Sequence, residues 1–223
     1  MKNYQYRSNL VVCDIECYPN YFLVAFKDIN NPEKIKRFEM RGDDDTLDVQ
    51  SIKRILRMAT VVTFNGLGYD IPMILYAMKG ANCSELKEAS DDIITNGLKP
   101  WVFEKVYEVS QPAYLDHIDI FPIPEGQASL KAYSARIGCL KLQDLPYDHD
   151  RWLTPKEMDE VAAYCDNDLA NTRSLFLHQE IKPNIDLRCE ISKEYQFDLR
   201  SKSDAQVGEL IFKNTLERKT GQR

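Results

Sequence analysis

The chain has 223 residues, 43% of them hydrophobic and 29% charged, with a net charge of −6. That length accommodates one sizeable domain, or one domain with a helical appendage, and the acidic balance excludes a protein that coats long nucleic acids with a broad basic face. No apolar run approaches the roughly 20 residues of a membrane span, and the polar start Met1-Lys2-Asn3-Tyr4-Gln5-Tyr6-Arg7 lacks the apolar centre of a signal peptide.

The six cysteines include no Cys-x-x-Cys pair and stand beside only three histidines, which argues against a structural zinc site. They read as small buried hydrophobes in a reduced, cytoplasmic setting.

In chain order, residues 10–15 form an apolar run that closes in charge and predicts a buried strand. Residues 20–27 predict a second strand, Asn30-Asn31-Pro32 a turn, and the alternation over 35–40 an exposed third strand. Short turns between the three predict an antiparallel meander. Leu47, Ile52, Ile55, Leu56 and Ala59 recur at helical spacing. The run Asp43-Asp44-Asp45 reads as the cap of that helix rather than a calcium loop, since it lacks the Gly and distal Glu of an EF-hand.

A short strand is predicted at 61–64, then a helix from Asp70 to about 79. This alternation of strands and helices predicts an α/β sheet with some parallel pairing. Residues 84–94 read as a helix, 101–109 as a hairpin arm or loop, 114–121 as a strand and 129–137 as a helix. Thr154-Pro155-Lys156-Glu157 is a strong helix start, and that helix is expected to reach about 178. Residues 184–200 read as helical or mixed, and 203–218 as an amphipathic helix.

Three short motifs carry the chemistry. In Val11-Val12-Cys13-Asp14-Ile15-Glu16 the two acids lie two apart on a strand, so both side chains face one way. Burying two like charges is costly, and a metal would offset the cost; the alternative is a strand that emerges into solvent at residue 14. In Asn65-Gly66-Leu67-Gly68-Tyr69-Asp70 the acid opens a helix. It suits a helix cap as well as a site at a strand's carboxyl end.

In Tyr164-Cys165-Asp166-Asn167-Asp168, Tyr164 and Asp168 lie at i and i+4 and share a face. That face continues at Val161 and Leu175, whereas Asp166 points elsewhere and reads as solvated. Tyr164 has the ordinary alternative of bonding a backbone group. Four acids from three separated segments match the oxygen cage that two hard divalent ions need, roughly 3.5–4 Å apart. Tyr164 would hold the attacking water rather than ionise, since a free phenol has a pKa of about 10.

The set Asp-x-Glu, Asn-x-x-x-Tyr-Asp and Tyr-x-x-x-Asp, in this order, resembles the three exonuclease motifs of the DEDDy family of 3′→5′ exonucleases. A histidine subfamily would place His five residues before the last acid; Ala163 stands there, so the tyrosine subfamily is the better match. The resemblance covers about residues 8–180. It implies an RNase H-like α/β fold: a mixed sheet led by the meander and flanked by helices, with a helical segment over 181–223. It implies Asp14, Glu16, Asp70 and Asp168 as ligands of two Mg²⁺ or Mn²⁺ ions, with Tyr164 orienting water. The implied reaction is 3′→5′ hydrolysis of single-stranded DNA ends to nucleoside monophosphates.

The form of the second motif, and the segment Leu199-Arg200-Ser201-Lys202-Ser203-Asp204-Ala205-Gln206-Val207-Gly208-Glu209, resemble phage-type replicative polymerases. The expectation is a proofreading region of a larger DNA polymerase, with a polymerase domain following as partner, in a bacterial or phage-infected host. An RNA 3′-trimming enzyme with the same site is the rival within enzymes; an inactive nucleic-acid-binding module of a replication complex is the rival outside them. Asn65 is expected at the terminal nucleotide and Lys131 along the strand path, near Arg136 and Lys141. Tyr18, Tyr69 and Phe64 are candidates for base stacking, with core packing favoured for Phe64. Asp119 is weighed as a fifth acid near the site, and His149 as exposed.

Overall fold

The structure, a computed structural model, describes residues 4–126 and 128–221. Strands β1 (Asn9–Tyr18), β2 (Tyr21–Asp28) and β3 (Ile35–Met40) form an antiparallel meander. Strands β4 (Ala59–Thr63) and β5 (Asp116–Asp119) extend the sheet from β1 in parallel. The order is β3-β2-β1-β4-β5. Eight helices complete the described chain: α1 (Val49–Met58), α2 (Asp70–Ala77), α3 (Cys83–Ile94), α4 (Pro100–Val106), α5 (Leu130–Arg136), α6 (Pro155–Leu177), α7 (Lys182–Tyr195) and α8 (Asp204–Thr220). The architecture is therefore α/β, a five-stranded mixed sheet flanked by helices.

The pleat explains the layering. Successive residues of β1 point to opposite faces: Val12 joins a core with α6 and α7 residues such as Val161, Leu169 and Ile185, whereas Cys13, Ile15 and Cys17 join a second core with α1, α2 and α3. Both faces of β2 and β4 are covered, so their sequences are apolar almost throughout. The edge strand β3 is less covered, with Lys36 and Arg37 exposed and only Met40 buried. Asp14 and Glu16 share the parity of Val12, and so stand on the α6 side.

Several boundaries differ from expectation. β1 runs on to Tyr18 because β2 pairs with it along its whole length, Tyr18 opposite Tyr21. Ala59, read as the last helical residue, is extended and opens β4, paired with Asn9. The Asp43–Asp45 run does not cap α1. Asp48 does, accepting the Ser51 N–H at 3.0 Å. Asp43 instead takes the Ser84 N–H at 2.9 Å and the Ser84 hydroxyl at 2.7 Å at the start of α3. Asp45 takes the N–H groups of Arg41 and Thr46. Short acidic side chains satisfy nearby backbone wherever the loop presents it.

Residues 100–106 form α4, neither hairpin arm nor loop, with Pro100 in the first turn. Buried Phe103 stacks on Tyr107 four residues on, ring centroids 4.4 Å apart; aromatic spacing of 4 is a helix signal the β-rich composition hid. β5 (Asp116–Asp119) is shorter than the strand expected over 114–121. The long helix α6 begins at the expected capping box, Thr154 with Glu157.

Beyond it, α7 contributes Ile185 and Cys189 to the core, while α8 has no buried residue and exposes Phe212 and Leu216. All six cysteines are free, five of them buried. Among the described residues no helix is long and apolar enough to cross a membrane.

Candidate active site

β1 crosses the middle of the sheet, and its carboxyl half carries Asp14 and Glu16 toward α6. The end of β4 lies beside it. There the chain turns through Asn65, whose φ of 65° is left-handed, and Gly66. A Cβ on Gly66 would stand 2.1 Å from Thr63 Oγ1, so only glycine fits this turn. The turn delivers Asp70 to the first position of α2. From the opposite side α6 presents Tyr164 and Asp168, one helical turn apart.

These segments enclose one cavity of about 520 Å³, lined by Asp14, Glu16, Asn65, Asp70, Tyr164 and Asp168. Phe64, Tyr69, Ile93, Ile94 and Leu145 give it apolar walls. The structure thus brings together all five residues of the three motifs, and Asn65 with them. Lys131 lies in an adjoining cavity of about 270 Å³ that shares Leu145, Tyr164 and Asp168. Its ammonium pairs with Asp144 and draws the Asp168 carboxyl back from the rise that burial causes.

The electrostatics are those of crowded carboxylates. Burial, then the charges of Asp70 and Asp168, pushes the Asp14 carboxyl well above the usual range. Burial and the same neighbours with Asp14 do so for Glu16. Asp70 is pushed up to about 7, by burial first and Asp119 second. Burial also raises Asp168, against hydrogen bonds from Tyr164, Asn167 and Asn171 that favour its charge. Burial and Asp168 hold the Tyr164 phenol neutral. No lysine or arginine offsets Asp14, Glu16 or Asp70 among the described residues. A buried cluster of like charges without a counter-charge is unfavourable unless protonated or joined by cations. Its donors are hard carboxylate oxygens, the set that Mg²⁺ and Mn²⁺ take, so these acidic residues could hold divalent metal.

Three neighbours escaped the sequence reading. Cys165 places its Sγ 3.6 Å from Asp14 Oδ2 and groups with Asp14 and Glu16 as a potential metal-holding set. Its spacing of 4 from Val161 already put it on the inward face. Ile94 and Leu145, both exposed, flank the cavity, and no pattern in their segments marks them. Asp119 is buried beside Asp70, but three backbone N–H groups occupy its carboxylate: Asn65 at 2.8 Å, Leu67 at 2.9 Å and Phe121 at 3.0 Å.

The other candidates resolve as follows. Asp166 points away from the cavity but is not simply solvated: it forms a two-point ion pair with Arg37 of β3, one contact at 3.0 Å. Tyr18 is a core residue, its hydroxyl donating to the Tyr147 carbonyl at 3.3 Å. Tyr69 lines the cavity with its hydroxyl 2.7 Å from Ser90 Oγ. Phe64 lines it too, edge-on to Phe121 at 5.3 Å. Arg136 lies over the Tyr133 ring, and Lys141 borders a separate groove behind α6.

His149 is exposed between Asp148 and Asp150. It groups with Asp91 and Asp150, but Lys87 Nζ already sits between those two acids, 2.7 Å from Asp150.

No family model, no curated protein and no solved structure matches this chain.

Proposed function

We propose that this chain is a metal-dependent 3′→5′ exonuclease acting on single-stranded DNA ends, with an RNase H-like fold and a site of the DEDDy type. One observation carries the reading: Asp14, Glu16, Asp70 and Asp168, from three segments far apart in the chain, meet Tyr164 in a single cavity, and among the described residues no basic counter-charge offsets Asp14, Glu16 or Asp70. A non-catalytic module has no physical need for that arrangement. The sheet order and the meander leading into a parallel β4 and β5 support the fold reading.

The four carboxylates would hold two Mg²⁺ or Mn²⁺ ions, which supply a hydroxide nucleophile near neutral pH and stabilise charge on the reacting phosphodiester. Tyr164, kept neutral by burial and by Asp168, orients the attacking water through its hydroxyl. Asn65, exposed at the cavity edge, hydrogen-bonds the terminal nucleotide. Lys131 steadies the incoming backbone from the adjoining cavity. The apolar walls of Phe64, Ile94 and Leu145 accept a base face without reading its edge.

The proposed setting is proofreading within a larger DNA polymerase. The resemblance of residues 199–209 supports it, as does the exposed apolar surface of α8.

A 5′-labelled DNA strand incubated with Mg²⁺, with EDTA, and with the Asp14→Ala, Glu16→Ala variant tests the reading. Shortening from the 3′ end, lost with EDTA and in the variant, is the expected result. No shortening with either Mg²⁺ or Mn²⁺, and no metal binding, would overturn it in favour of an inert binding module. A matched RNA strand run in parallel separates the DNA reading from RNA trimming through its 2′-hydroxyl.

A further inference from the structure

We propose that Asp119 is a positioning residue that fixes the loop carrying Asp70, and that Ser201 braces it from the C-terminal segment. The inference rests on the metal-dependent reading above. Asp119 ends β5, opposite Thr63 at the end of β4. From there its carboxylate faces the five-residue connection 65–69. Oδ1 accepts the Asn65 N–H and Oδ2 the Leu67 N–H, at 2.8 and 2.9 Å. Within the connection, backbone bonds run from Gly68 N–H to the Asn65 carbonyl at 3.0 Å, from Ile71 N–H to the Gly66 carbonyl at 2.9 Å and from Met73 N–H to the Tyr69 carbonyl at 3.1 Å, and the Tyr69 hydroxyl lies 2.7 Å from Ser90 Oγ; Asp119 is the side chain that holds the amides of Asn65 and Leu67. Asn65 pays a steric cost in its left-handed backbone, so the loop keeps its shape because Asp119 holds two of its amides.

The position of Asp70 follows from that hold. Asp70 begins α2 directly after the loop, and a shift of the loop moves its carboxylate away from Asp14 and Glu16. Asp119 thus relates to Asp70 as an outer partner relates to a metal ligand. Its negative charge beside Asp70 also deepens the potential that attracts cations.

The brace continues outward. The Asp119 N–H donates to Ser201 Oγ at 2.8 Å. Ser201 is fixed by its buried neighbours: Leu199 is fully buried, and Arg200 pairs with Asp116 of β5 at 2.7 Å. Residues 198–203 therefore press on the strand that shapes the site, although none of them lines the cavity.

The test uses the whole chain and the probe Mn²⁺ alone, read by calorimetry, then strand shortening across Mn²⁺ concentrations. In Asp119→Asn the amide retains one acceptor but turns an N–H donor toward the Leu67 N–H or the Asn65 N–H, and it loses the charge. The expected result is about tenfold weaker Mn²⁺ binding, with the rate restored by raising Mn²⁺ in proportion. Ser201→Ala should weaken binding in the same direction and less. A folded Asp119→Asn chain with wild-type Mn²⁺ affinity overturns the proposal, as does a rate loss that excess Mn²⁺ leaves unrestored. If Asp119→Asn does not fold, Ser201→Ala decides: unchanged Mn²⁺ affinity there overturns it. A wild-type chain that binds no Mn²⁺ fails differently, by removing the metal-dependent reading itself.

Discussion

The Sγ of Cys165 lies 3.6 Å from Oδ2 of Asp14, so a soft sulfur borders a site otherwise made of hard oxygens. Thiolate favours Cd²⁺ and Zn²⁺, whereas carboxylate and water suit Mg²⁺ and Mn²⁺. Cd²⁺ is therefore expected to bind more tightly than Mg²⁺, and Cys165→Ala to remove most of that excess while leaving Mg²⁺-supported cleavage nearly intact. Competition of Cd²⁺ against Mn²⁺ in both chains measures this; equal Cd²⁺ affinity in the two would exclude the sulfur from the site.

Stability without metal should depend on pH in a defined direction. The Asp70 carboxyl is raised to about 7 in the folded chain, by burial and then by Asp119, against about 3.9 unfolded. Below the unfolded value both states are protonated and nothing is lost. As pH climbs from about 4 toward 7, only the unfolded state releases the proton, so folding stability falls by about 1.4 kcal/mol per unit of pKa difference. Melting in EDTA from pH 4 to 8 should show this decline, added Mn²⁺ should reverse it near pH 7, and Asp70→Asn should lessen it, the raised Asp14, Glu16 and Asp168 carboxyls keeping the rest. A wild-type melting temperature that climbs steadily over that range in EDTA would contradict the buried-acid picture.

Tyr164→Phe removes the hydroxyl and keeps the ring. The variant should lose on the order of 10²-fold in kcat with Mn²⁺ affinity little changed, since the phenol stays neutral and is no ligand. Calorimetry beside single-turnover cleavage separates the two effects, and a large fall in metal affinity would reassign Tyr164 to the metal cage.

Gly66→Ala places a Cβ 2.1 Å from Thr63 Oγ1 and 2.5 Å from Thr63 Cβ. The strand end has to give way, at a cost of about 1–3 kcal/mol that urea unfolding reads directly. Because the same turn delivers Asp70, cleavage should drop further than the unfolded fraction explains.

Lys131→Ala removes a cation that faces Asp168 and pairs with Asp144. Affinity for single-stranded DNA should fall, and the slope of log affinity against log salt should shrink by about 0.7. Binding isotherms at several salt concentrations decide it; an unchanged slope would leave Lys131 as a surface partner of Asp144 only.

Much of the site was legible because short-range periodicity carries it. Asp14 and Glu16 share a face by the strand repeat of 2, and Tyr164 and Asp168 turn inward by the helical repeat that also buries Val161 and Leu175. Apolar composition likewise predicted β2 and β4, whose two faces are both covered. Local spacing misled where a distant partner decides: Asp43 reads as a cap for α1, yet it binds Ser84 on α3, and Asp166 reads as solvated, yet it binds Arg37 on β3.

The sequence by itself determined most element types, α4 excepted, together with the shared face of Asp14 and Glu16, that of Tyr164 and Asp168, and the candidate acids, since these follow from alternation, helical spacing and caps within a few residues. Only the tertiary structure decided that three segments close on one cavity, that Cys165, Ile94 and Leu145 border it, and that Asp119 binds backbone instead of facing the cavity. Those facts depend on the parallel registry of β1, β4 and β5 and on α6 packing across β1 and β2. Contacts between residues more than 50 positions apart, such as Asp119 with Asn65, leave no periodic trace in the chain.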